Sequence, residues 1–142
     1  MRRLVVLALA GLALTACGTV SATSALRSWV SQSNFSRNVL TVAGDASHAA
    51  AELRRAGSTS GQLHLVCAVL LVDTEASNAS LPSPDATTND LLSRAYTALG
   101  AGANLCYRAA ALPATRAAAL RDLRQGVALL SEARARIANA AG

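Results

Sequence analysis

Lysine is absent from this chain: all 13 basic residues are arginine. No Gly-rich phosphate loop appears, since Gly100-Ala101-Gly102 falls inside an apolar helical pattern rather than ahead of one. Aromatic residues are nearly missing, with one Phe, one Trp and two Tyr. The core must then be filled by Ala, Leu and Val. Small residues on the apolar seams imply close helix axes and small cavities, which counts against a large ligand pocket. The only histidines are His48 and His64, and neither falls in a Ser, His and Asp grouping that suggests a nucleophile triad. No uncharged apolar run reaches the roughly 20 residues that a membrane-spanning helix needs.

What is present begins at the N-terminus. Met1-Arg2-Arg3 is a short positive start, and residues 4–14 are apolar and uncharged. That run has the length of a signal-peptide apolar core. It leads into Leu14-Thr15-Ala16-Cys17-Gly18. The segment resembles the lipobox of bacterial lipoproteins: a Leu, two small residues, then the obligatory Cys. The resemblance implies cleavage before Cys17, a diacylglyceryl thioether on its sulfur, and acyl chains that hold the protein on the outer face of a cell membrane. The expected division is a signal peptide over 1–16, a lipidated N-terminus and tether over 17–33, and a helical bundle over 34–142.

Removing Arg2 and Arg3 with the leader leaves 11 arginines against 8 carboxylates, about +3, too weak a field for nucleic-acid recognition. The three cysteines divide in the same way. Lipidation consumes Cys17, and Cys67 and Cys106 remain as a pair in an oxidising compartment. Both fall on the apolar stripe of their helical segments, so a Cys67–Cys106 disulfide is expected, provided the segment carrying Cys106 overhangs the one carrying Cys67.

The tether should contain a short helical stretch around Leu26, Trp29 and Val30. Its phase does not continue: Phe35 lies about 240° around a helix from Trp29. A break near Ser33-Asn34 is expected, and one long bent helix over 22–56 is the alternative. Trp29 either sits in the membrane interface or packs on the bundle. Phe35, Val39, Val42, Ala46, Ala49, Leu53 and Ala56 then recur at alternating spacings of four and three, the seam of a helical bundle. Asn34 can cap its start, and Gly57 can end it in a left-handed turn.

Thr59-Ser60-Gly61-Gln62 has the spacing of a capping box, and Leu63, Val66, Cys67 and Leu70 share one face beyond it. The run 65–72 also fits a buried strand, but nothing else in the chain offers it a partner. A loop with Pro82 and Pro84 follows. Thr87-Thr88-Asn89-Asp90 marks the next helix start, with a seam of Leu92, Ala95, Leu99, Gly102, Cys106 and Ala109. Gly100 and Gly102 predict a close helix crossing. Pro113 opens the last helix, whose seam is Leu120, Leu123, Val127, Leu130, Ala133 and Ile137. The fold class is all-α, a four-helix bundle of antiparallel up-down topology.

Candidate chemistry is sparse. Asp45, His48 and Glu52 share a helix face, and Asp-x-x-His resembles the Glu-x-x-His ligand pair of ferritin-like carboxylate bundles. That resemblance implies a metal, but the second such pair is missing, so a solvated helix face is the better reading of the three. His64 reads as a surface or boundary residue. Arg116, Arg121, Arg124, Arg134 and Arg136 give the last helix a basic face. Leu81-Pro82-x-Pro84-Asp85, Ala95-Tyr96 and the stretch from Gly100 to Tyr107 resemble small uncharacterised actinobacterial helical proteins, a likeness that implies no activity. The expectation is a non-enzymatic module without cofactor. Its partners would be the membrane, through lipid on Cys17, and an envelope protein, with small-ligand or metal binding as the alternative.

Overall fold

The computed structural model describes residues 21–108 and 112–141. Among them are five α-helices and no strand: α1 (Ala22–Gln32), α2 (Phe35–Arg54), α3 (Ser60–Asn78), α4 (Ala86–Arg108) and α5 (Pro113–Ala141). The seam of α2 is apolar at helical spacing, so burial of one stripe selects the helix over other conformations. Phe35, Val39, Val42, Ala46, Ala49 and Leu53 are all buried. Ala56 lies past the helix end and is exposed. The helix ends where Arg55 turns extended, at φ −69° and ψ 120°. Gly57 does not stop it as expected but lies in the turn beyond, where its φ of +92° is cheap for a residue without a side chain.

The break between α1 and α2 falls at Ser33-Asn34, so the single bent helix does not form. Asn34 was expected to cap the start of α2 and occupies the N-cap position, but its side chain makes no cap bond. The residue takes a left-handed conformation at φ 51°. A short polar residue tolerates that region, and it redirects the chain. Residues of the expected tether thus form a packed helix. Leu26 is buried, the Trp29 ring lies 5.4 Å from that of Phe35, and Trp29 Nε1–H donates to the Ser80 carbonyl at 3.1 Å. Trp29 packs on the helices.

The Thr59–Gln62 capping box forms. The Gln62 N–H donates to Thr59 Oγ1 at 3.2 Å, and the Thr59 N–H donates to Gln62 Oε1 at 2.9 Å. The run 65–72 is helical within α3. The start of α4 lies one residue before the expected threonines and is capped by Asp85, whose Oδ2 accepts from the Thr88 N–H at 2.7 Å. Helix α4 packs on α5 and α3, α3 packs on α2, and α2 and α1 both reach α5. Ala109 and Cys17 lie outside the described residues.

Helices α4 and α5 pack closely at two glycines. A methyl group at Gly102 would stand 2.8 Å from Leu123 Cδ2, and one at Gly126 would stand 2.5 Å from Leu99 Cγ and 3.0 Å from the Ala95 carbonyl oxygen. The close crossing therefore uses Gly102 and Gly126. Gly100, expected to share in it, has open space at its Cβ position.

Candidate functional site

The two core cysteines sit on the inward stripes of α3 and α4. Cys67 and Cys106 are joined in a disulfide with their Cα atoms 5.8 Å apart, and both are fully buried. Cys67 lies 11 residues before the end of α3, whereas Cys106 lies 20 residues after the start of α4. The bond thus sets the stagger: α4 runs past α3 toward the Pro82–Pro84 loop.

Asp45, His48 and Glu52 share a face of α2 but not an environment. Glu52 is buried, not solvated as its spacing suggested. Its carboxylate accepts from the Ser58 hydroxyl at 2.9 Å and pairs with Arg55 at 2.8 Å. Those bonds hold the turn after α2 and leave Glu52 turned to structural work. His48 is exposed. Asp45 is half-buried beside Asp73 of α3, and its Oδ2 has no donor among the protein groups. Burial raises its pKa, Asp73 raises it further, and His48 opposes the rise. Among the described residues no three His, Cys, Asp or Glu side chains gather as a metal site. The expected ligand triad is not assembled.

His64 lies exposed, stacked on Tyr107 of α4 at 4.4 Å. Of the arginines on α5, Arg121, Arg124 and Arg134 are exposed as expected, whereas Arg116 and Arg136 are half-buried. Arg116 donates to the Leu53 carbonyl at the end of α2. Arg136 clamps Asp85 through two bonds of 2.7 and 2.9 Å. These bonds from Arg136, then those from Thr88, hold the Asp85 carboxyl well below the usual carboxylate range. Sequence reasoning named Asp85 only within the Pro82–Pro84 stretch and gave it no role as a cap or ion-pair partner. An Asp three residues before a threonine at a helix start is an N-cap signal, but its arginine partner, 51 positions away, is invisible to local spacing. Burial also pushes the Tyr96 hydroxyl up to about 12.

The surface offers grooves rather than a cleft. One of about 240 Å³ between α2 and α3 is lined by Asp45, His48, Leu65, Val66 and Val69. Another of about 500 Å³ runs between α4 and α5 beside Thr87, Leu91, Glu132 and Arg136. Neither brings a nucleophile, a base and an oxyanion donor together in the way acyl transfer requires. The lipidation candidate Cys17 falls outside the described residues. Comparison with family models, with curated proteins and with solved structures finds no match for this chain.

Proposed function

We propose that this protein is a lipid-anchored extracytoplasmic helical module, attached through Cys17, that serves an envelope interaction or structural role rather than catalysis. The observation that carries the reading is the leader sequence: Arg2-Arg3, the apolar residues 4–14, then Leu14-Thr15-Ala16-Cys17. The Cys67–Cys106 disulfide supports it, because such bonds persist in oxidising compartments. No described helix is long and apolar enough to cross a membrane, which is compatible with attachment by lipid. Helix α1 starts at Ala22, five positions after Cys17, so the packed helices would stand close to the bilayer. Helices α2–α5 are proposed to run up-down-up-down, with α1 laid across them. Support comes from the packing of sequence neighbours across the turns 55–59 and 79–85. The metal-binding alternative is weakened by the diversion of Glu52 to Ser58 and Arg55.

Cys17→Ser tests the anchor. The variant should lose incorporation of labelled fatty acid, and it should accumulate as unprocessed precursor or leave the membrane fraction. A variant that still matures to the normal size and stays membrane-bound would show that the lipobox reading is wrong.

A further inference from the structure

Helix α3 is apolar on its outer face as well as its inner one. Leu63, Cys67, Leu70 and Thr74 point into the core and are buried. On the opposite side Leu65, Val69 and Val72 are 68%, 44% and 62% exposed, and Ala76 continues their line. The spacings are four, three and four, so these side chains form one straight seam of the kind that pairs helices. The charged or titratable residues of α3 are His64, Asp73 and Glu75, and none lies within that seam. A helix that is apolar all round is ordinarily covered on every side.

We infer that the outer face of α3 is a self-association surface, on which two copies of this chain pack their α3 helices antiparallel about a two-fold axis between Val69 and Val72. In that register Val69 meets Val72 of the second copy, and Leu65 meets its Ala76. Polar complementarity, imidazole N–H donors against carboxylate acceptors, selects both the occupant and the direction. The histidines flank the first half of the seam: His64 on α3 itself, and His48 of α2, which with Asp45 lines the groove at Leu65, Val66 and Val69. The carboxylates flank the second half: Asp73 and Glu75, with Asp45 beside Asp73. A two-fold antiparallel pair lays each imidazole end against the other copy's carboxylate end and opposes the two helix dipoles. A parallel pair would set Asp73 and Glu75 against their own copies. The acidic flank also disfavours an anionic membrane surface as the occupant. From Leu65 to Ala76 the seam spans roughly 17 Å, short for a standard interface, so the dimer should be weak, with a dissociation constant on the order of micromolar. The inference does not depend on the lipid anchor.

Site-directed crosslinking of the full chain in its producing cells tests both occupant and register. Single cysteines are introduced at Leu65, Val69, Val72 or Ala76 and treated with a short, membrane-permeant bismaleimide. The unsubstituted chain reports any background from Cys17. Copies carrying Val72→Cys lie about three residues, or roughly 5 Å, out of register along the axis, so Val69→Cys and Val72→Cys should each give a band of twice the monomer mass. Leu65→Cys with itself is offset by roughly 17 Å and should not. Leu65→Cys and Ala76→Cys produced together should give the dimer that neither gives alone. Val69→Asp should reduce the Val72→Cys product by about 30-fold, the scale of a central interface residue, without altering the helical signal of the folded chain. Self-crosslinking at Leu65→Cys equal to that at Val72→Cys would overturn the antiparallel register. Absence of a dimer at Val69 and Val72, or adducts only to a protein of different mass or to lipid, would overturn self-association itself.

Discussion

The α4–α5 contact and helix α3 bury apolar surface by opposite means. In the first, two glycines let the axes approach until Leu99 and Leu123 fill the space that side chains would need. The outer faces there are polar, with Ser93, Arg94 and Thr97 on α4 and Arg121, Arg124 and Arg134 on α5 exposed. Polarity alone says which way those helices turn. Helix α3 has no such instruction, because both of its faces are apolar. Its rotation is settled by the Cys67–Cys106 bond and by the cap at Thr59, which pins its start. A helix whose inside and outside resemble each other needs a specific link where a strongly amphipathic one needs only water.

The largest expected effect follows from cutting that link. Cys67→Ala with Cys106→Ala releases a loop with a sequence separation of 39, which should lower stability by about 4 kcal/mol in the chain-entropy account. If the comparison is right, α3 should loosen first. Native-state hydrogen exchange should show loss of protection in α3 well before α4 and α5. Uniform loss across all the helices would mean that α3 is positioned by its core contacts and needs no link.

Glycine substitutions sharpen the other half. Gly126→Ala places a methyl against Leu99 and the Ala95 carbonyl and should cost about 2 kcal/mol in denaturant unfolding. Gly102→Ala should cost somewhat less, since its closest approach, 2.8 Å to Leu123 Cδ2, is looser than the 2.5 Å at Gly126. Gly44→Ala and Gly100→Ala meet nothing within 4 Å. They should stabilise by about 0.5–1 kcal/mol through helix propensity. Equal effects at all four positions would remove the case for a glycine-dependent crossing.

The smallest effects concern carboxylates, and they carry opposite signs. The folded-state pKa of Asp85 is depressed by Arg136 and Thr88. Its contribution is therefore present above the ordinary Asp value near 4 and is lost as pH falls below it. Asp85→Ala should cost about 1 kcal/mol at neutral pH, the worth of a helix cap, and the deficit should shrink on acidification. Asp45 on the α3 side is the reverse case. Its raised pKa means that the folded state takes up a proton more readily than the unfolded chain does, so ionisation at neutral pH works against folding. Asp45→Asn should raise the melting temperature at neutral pH and lose that advantage as pH falls through the raised value. A neutral-pH loss on Asp45→Asn would show that the ionised pair with Asp73 is held by donors on neighbouring groups.

Helix existence, the break at Ser33-Asn34, the capping box and the inward stripes were legible in the sequence. Each depends on periodicity or on residues within four positions, and the backbone responds to both locally. The choice of Leu123 as the residue packed on Gly102, the clamp of Arg136 on Asp85 and the docking of Trp29 on Ser80 were not legible. Each joins residues far apart in the chain, and local propensity carries no term for them. Glu52 shows the limit most plainly. Its spacing with Asp45 and His48 indicated one solvated face, since a helix wheel records direction but not what stands opposite. Only packing could decide that the turn at Ser58 would fold back over Glu52 and bury it, while leaving His48, four residues earlier on the same helix, in water.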